Sequence, residues 1–276
     1  MRLGAPLHNF DSPESWVQAV KAAGYRAAYC PVKADTPLQD IRAYEKAANA
    51  ADIVISEVGI WNNPISPDEA VRQQAIVFGQ KQLALADEIG ARCCVNIAGS
   101  RGAQWDGPHP DNFTSETFDM IVETVQGIID AVKPKRTFFT LETMPWIVPD
   151  STESYLQLIA AINRPQFAVH LDPVNMISSP RLYFDNTAFL NDCFAKLGPY
   201  LKGCHAKDII IRGHLTVHLD EVRPGLGTLD YRTLLRCMDQ LADKDVPFML
   251  EHLPDAEYGP AAAYIREIAA AENIAL

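Results

Sequence analysis

The 276-residue chain has no apolar run near the roughly 18 residues that a membrane-spanning helix needs. Its start, MRLGAPLHNFDSPES, lacks the apolar stretch of about 7–15 residues that marks a secretory signal. The expectation is that it opens the first element of the fold. Positive charge is scarce: 24 Lys and Arg stand against 35 Asp and Glu, a net charge of -11. Such a surface repels phosphate backbones, which argues against nucleic acid as a partner. None of the six cysteines stands in C-x-x-C spacing, and Cys93 and Cys94 lie inside an apolar run. Buried free thiols in a reducing cytoplasm are expected. No low-complexity tract or long linker divides the chain, so one domain over residues 1–276 is expected. Nor does G-x-G-x-x-G follow the first apolar run, where the chain reads PLHNFDSPES. That absence weakens the reading of an open, doubly wound dinucleotide-binding sheet.

What the chain does contain is an alternation. Eight short apolar runs, RLGAPL (2–7), RAAYCPV (26–32), DIVISEVGI (52–60), ARCCVNIAG (91–99), TFFTLETMP (137–145), FAVHLDPV (167–174), LKGCHAKDI (201–209) and PFMLEHL (247–253), are separated by longer amphipathic segments. Short runs of this kind, bounded by Gly and Pro, read as buried strands. The segments between them carry helix signals. Ser66 precedes Pro67 and Glu69 as a capping box would, and Tyr231, Leu234, Leu235, Met238 and Leu241 recur at helical spacing after Asp230. An alanine-rich helix is expected near 260–271. Eight strand-then-helix units in this length define the fold class as α/β, a single (β/α)8 TIM barrel.

In such a barrel the chemistry sits at the C-terminal ends of the strands. Four consecutive runs place a metal-capable side chain there: Glu142 in LETMP, Asp172 in HLDPVN, His205 in CHAKD and Glu251 in LEHLP. Any one of them alone reads as a cap, a surface charge or a structural histidine; four in a row do not. Three carboxylates and one imidazole form an oxygen-rich donor set. It suits one divalent ion, Mn²⁺ first, with Co²⁺, Mg²⁺ or Zn²⁺ as alternatives. His170 shares a strand face with Asp172 and reads either as a residue orienting a ligand or as part of a polar layer. Lys207 alternates onto the face of His205, where it could hold a substrate hydroxyl or carboxylate, or pair with Asp208. Glu57, Trp61 and Trp146 are further candidates at the mouth, the tryptophans either stacking on a sugar or packing.

With these motifs the chain resembles the xylose isomerase-like TIM-barrel superfamily, which includes sugar isomerases and 3-epimerases, inosose dehydratase and endonuclease IV. The likeness spans essentially the whole chain, and PGLGTLDY (224–231) is similar to the family's loop after strand seven. The resemblance implies a small-molecule carbohydrate substrate and a metal held by Glu142, Asp172, His205 and Glu251. It further implies that Glu142 and Glu251 move a proton through a metal-stabilised cis-enediolate. The substrate contacts it suggests are Asn175, standing where the epimerases carry histidine, and Arg212, about one residue from the family's arginine. A homo-oligomer is left open.

Three functions follow. The first is a metal-dependent keto-sugar isomerase or epimerase. The second is a lyase or dehydratase acting on a keto-sugar, inosose or 3-keto-glycoside, which Asn175 keeps in contention. The third is a non-catalytic sugar-binding barrel, against which the paired glutamates argue. Endonuclease IV needs a histidine where Asn175 stands, and the acidic chain also argues against DNA cleavage.

Overall fold

A computed structural model describes residues 1–276. Each of the eight apolar runs holds a strand, shorter than the run itself: β1 (Arg2–Gly4), β2 (Ala27–Ala28), β3 (Val54–Ile55) with β4 (Glu57–Gly59), β5 (Cys93–Asn96), β6 (Phe138–Glu142), β7 (Phe167–Leu171), β8 (Leu201–Ala206), and, after a hairpin made by β9 (Asp208–Arg212) and β10 (His218–Val222), β11 (Pro247–Leu250). All strands except the hairpin pair lie in one parallel sheet, in the spatial order β3-β2-β1-β11-β8-β7-β6-β5-β4.

The two ends of that order are separated in sequence only by Ser56, so β3 and β4 form one bent stave. Val54 and Ile55 pair with β2, and Glu57 to Gly59 pair with β5. Ser56 closes the seam, donating its N–H to the Ala28 carbonyl at 2.8 Å and accepting from the Cys93 N–H at 3.2 Å. The result is an eight-stave parallel barrel whose strands are buried on both faces. That burial is why they read as unbroken apolar runs rather than as an alternation.

Helices ring the barrel, and their caps show where sequence patterns hold. Asp230 caps the helix Tyr231–Gln240 by accepting from the Thr233 N–H, and Tyr231, Leu234, Leu235 and Met238 of its stripe are buried. Leu241 lies just past that helix's end. The expected Ser66 cap is corrected: Asp68 caps Glu69–Ile89, accepting from the Ala70 and Val71 N–H groups. Ser66 instead accepts from the Asp68 N–H and holds the cap in place. The alanine-rich helix begins earlier than expected and spans Asp255–Ala271.

The hairpin is the main departure from the expected elements. The seventh run breaks at Lys207, and β9 pairs antiparallel with β10 in the register Ile211 to Leu219. Asp208 ties its base to the glycine-rich loop that follows. The buried carboxylate accepts N–H groups from Ile209 (2.8 Å), Gly225 (2.9 Å), Gly227 (3.0 Å) and Leu229 (2.9 Å). Gly227 is required there, because a Cβ would lie 2.2 Å from Asp208 Oδ1.

Candidate metal centre at the barrel mouth

Glu142 is the last residue of β6 and His205 the penultimate residue of β8; Asp172 and Glu251 each follow directly on β7 and β11. One ligand-capable atom from each lies within 4.8 Å of those of the other three. His205 Nδ1 is the common neighbour, 2.8 Å from Glu251 Oε1, 3.3 Å from Glu142 Oε1 and 3.8 Å from Asp172 Oδ2. Asp172 divides its carboxylate between two tasks. Oδ1 accepts from the Val174 and Asn175 N–H groups and starts a short helix, while Oδ2 faces the cluster. Asn175 in turn donates its amide to Glu142 Oε1 at 3.0 Å and to the Thr143 carbonyl at 3.1 Å.

Asp172 Oδ2, Glu251 Oε1 and His205 Nδ1 are buried without a hydrogen-bond partner. Buried polar atoms are normally satisfied; these face one another and the Lys207 ammonium at ion-pair distance without well-angled hydrogen bonds. A divalent cation fits this donor set of three carboxylates and one imidazole.

Lys207 brings a fixed positive charge to the same place. Its Nζ lies 2.7 Å from both Asp172 Oδ2 and Glu251 Oε1 and 3.4 Å from Glu221 Oε2. Neither 2.7 Å contact has hydrogen-bond angles. Burial opposes charge on every group here, but their partners decide the outcome. For Glu251, burial is outweighed by His205 and Lys207, which hold its carboxyl down at about 2. Asp172 is likewise held below the ordinary range, Lys207 and His205 overcoming its burial. Glu142 moves the other way, because burial and the Glu251 charge outweigh His205 and Lys207. On His205 itself burial is overcome by Glu251 and Glu142, and its pKa rises well above normal.

A second buried cluster lies behind the first. Glu57 accepts from His170 Nε2 at 2.9 Å, and its other oxygen faces His205 Nε2 at 3.7 Å. Burial notwithstanding, the two imidazoles hold the Glu57 carboxyl below the usual range. The rings of His170 and His205 meet edge to face with centroids 4.2 Å apart. The register shifts between Val169 and His170, which pair with Leu201 and Gly203 of β8, and an irregularity of this kind re-aims side chains beside sites. Gly203 makes room for the result, since a Cβ there would lie 2.8 Å from His170 Cδ2. Neither Glu57 nor His170 lines the cavity above: both are buried beneath the cluster, 2 % and 0 % exposed, and His170 sits where a residue orienting His205 through Glu57 would.

Above the cluster opens a cavity of about 630 Å³. Glu142, Asn175, Lys207, Glu251 and Trp61 line it, together with Glu221 of the hairpin. Trp61 adopts a left-handed backbone conformation (φ 51°) just past β4, an uncommon one for so bulky a residue. Two other candidates fall elsewhere. Arg212 pairs with Asp220 across the hairpin, half-exposed and outside the cavity lining. Trp146 donates its indole N–H to the Asp106 carbonyl at 2.6 Å, fastening the loop after β5 rather than lining the cavity. Asp208 is not the partner of Lys207; its carboxylate holds the glycine-rich loop. Glu221 is a cavity residue with no signal in the sequence reading, because the run of isoleucines at 209–211 does not alternate as a half-exposed hairpin strand would.

A family model described as "Xylose isomerase-like TIM barrel" matches residues 17–271, and the chain belongs to that family. No curated protein matches it significantly in sequence. Among solved structures it is similar to three proteins of different chemistry. Endonuclease IV from Thermus thermophilus shares 15% identity and a TM-score of 0.72, covering 98% of this chain and 100% of that one. A D-psicose 3-epimerase determined in the presence of D-fructose shares 15% identity and a TM-score of 0.69, covering 97% and 99%. The probable 3-DHS dehydratase of petrobactin synthesis from Bacillus anthracis shares 17% identity and a TM-score of 0.69, covering 98% and 99%. Likeness at this level carries the fold across and leaves the reaction to be argued from the site.

Proposed function

We propose that the chain is a divalent-metal-dependent isomerase or epimerase of a keto-sugar, with Glu142 and Glu251 as its proton-transfer pair. The observation that carries this reading is that both carboxylates line the cavity and lie within 3.3 Å of the same His205 nitrogen. Holding a cation accounts for both carboxylates as ligands, and their place in the cavity wall gives them a second use as bases. Glu142, Asp172, His205 and Glu251 would hold the cation, Mn²⁺ first by the hardness of the set. Bound there, it would supply a Lewis acid for the negative charge that develops on neighbouring substrate oxygens.

The chain's own groups do the rest. One glutamate removes the proton from the carbon beside the carbonyl, which requires hydrogen-bond reach of that proton. Return by the other glutamate to the opposite face gives an epimer; return to the former carbonyl carbon, with the hydroxyl proton passing from one neighbouring oxygen to the other, gives an aldose–ketose isomer. Asn175 keeps Glu142 in one orientation through its 3.0 Å bond, and Glu57 backs His205 so that Nδ1 faces the carboxylates. The six cysteines are all unpaired, in keeping with a reducing, cytoplasmic setting.

Lys207 supports a second reading, elimination. Its ammonium lies 2.7 Å from Glu251 and, despite its burial, is held protonated by the carboxylates around it. It would donate a hydrogen bond to a hydroxyl on the carbon next to the one deprotonated, which would leave as water with the proton that the glutamate removed. Incubation of the metal-loaded protein with neutral keto-sugars in D₂O separates the readings. An isobaric product carrying deuterium beside the carbonyl supports isomerisation, and loss of 18 mass units, about one water, supports elimination. No exchange and no product across the panel would leave only a binding barrel.

A further inference from the structure

The mouth of the cavity has two unlike halves. Staves β6 to β11 bring Glu142, Asn175, Lys207 and Glu251, with Glu221 overhanging from the hairpin. The loops after β1, β2, β4 and β5 bring Leu7, Phe10, Tyr29, Trp61, Ile97 and Trp105. His8 and Asp106 are the polar exceptions on that side. Trp61 and Trp105 are 43% and 38% exposed, although a large aromatic surface left open in a pocket normally marks a contact for something apolar.

We propose that this apolar half is a subsite for the aglycone of an uncharged glycoside, and that the substrate is a sugar ring bearing a ring ketone and an apolar or aromatic substituent. The inference rests on the keto-sugar reading and adds the second half of its ligand. Volume favours it. At about 30 Å³ per atom, the share of a liquid water, the twelve non-hydrogen atoms of a hexose fill at most about 360 Å³. The cavity of about 630 Å³ exceeds that bound by roughly 270 Å³, room for a second group beside the sugar ring. Charge points the same way. Lys207 is the lysine of the lining, no arginine joins it, and its ammonium already faces Asp172, Glu251 and Glu221. A phosphate or carboxylate substituent in this half would find no lysine or arginine free to pair with it, whereas a neutral ring on the tryptophans gains apolar burial and stacking.

The test is isothermal titration of the full-length, metal-loaded protein with methyl and phenyl β-D-glucopyranoside, which need not react. The phenyl glycoside is expected to bind at least about tenfold more tightly, in line with burial of a ring. Trp105→Ala or Trp61→Ala should shrink that gap to under about threefold and leave the methyl glycoside within about twofold; Trp105→Phe should retain most of it. Equal affinities, no measurable binding of the phenyl glycoside, or a gap that survives both alanine variants would overturn the subsite. Equal losses for both glycosides in the variants would also overturn it, by showing that the tryptophans stack on the sugar ring itself. Because the gap is read at binding, its presence without hydrogen exchange on keto-sugars would reject the catalytic reading and leave the subsite standing.

Discussion

Replacing Asp208 by alanine removes one buried carboxylate and leaves four backbone N–H groups without their acceptor. Their surroundings differ. Gly225 is exposed and can turn to water, and Gly227 is half-buried, while Ile209 and Leu229 are buried, at 3% and 4% exposure. A buried donor left unpaired costs about 1–3 kcal/mol, so the two buried groups give roughly 2–6 kcal/mol. Burial already pushes the Asp208 carboxyl above its ordinary pKa despite the four donors, so removing the charge recovers part of that cost. We expect the lower half of the range, about 3 kcal/mol, or a fall in Tm of roughly 6–12 °C for a chain somewhat above 250 residues. The loop over 223–230 should also lose hydrogen-exchange protection before the barrel does. Scanning calorimetry and exchange mass spectrometry read the two effects. A Tm within about 2 °C of the parent, with loop protection unchanged, would refute the assignment of Asp208 as the loop's anchor.

Other perturbations probe other parts of the molecule. Glu57→Gln removes the charge that faces His205 Nε2, and Mn²⁺ affinity measured by calorimetry should fall about 10–100-fold, the usual effect of losing an outer-shell partner; unchanged affinity would mean that Glu57 only packs. Gly203→Ala drives a methyl into His170 and should cost about 1–3 kcal/mol in denaturant titrations. Combined with His170→Ala it should cost less than the sum of the two, whereas strict additivity would show that the contact is not the cause. Asp52, held at about 2 by Arg2 and Arg26, adopts a left-handed conformation (φ 58°) at the end of Leu38–Ala51 that asparagine also tolerates. A depressed carboxyl pKa stabilises the fold above the unfolded value and loses that effect as pH falls through the folded one. Asp52→Asn should therefore lower Tm slightly at neutral pH, by an amount that salt reduces. The difference should close as pH approaches about 2; a difference independent of pH would point to backbone effects.

Much of the barrel could be read from the sequence, because strands buried on both faces leave apolar runs and each run proved to hold a strand. The four residues at the stave ends were readable for a related reason: polar side chains at or just past the C-terminal end of consecutive buried runs lie at one face of the barrel. Depth was not readable. Glu57 was placed at the mouth, yet it stands at the start of β4 and faces inward under His205. A two-residue period gives the face of a strand and not the height along the barrel. Nor was the hairpin: LKGCHAKDI ran straight into IIR, and the break at Lys207 comes from Asp208 turning its carboxylate to the loop around Gly227, a contact between residues 19 apart. Arg212 went with it, carried on β9 to the outside.

Everything proposed for the mouth depends on Glu142, Asp172, His205 and Glu251 forming one metal site, and anomalous diffraction from crystals soaked in Mn²⁺ addresses this without reference to any substrate. One strong peak is expected within coordination distance of His205 Nδ1, Asp172 Oδ2 and the two glutamates, lost in His205→Ala. A peak between Glu57, His170 and His205 Nε2 instead, or no peak while Lys207 keeps its place against Asp172 and Glu251, would contradict the assignment.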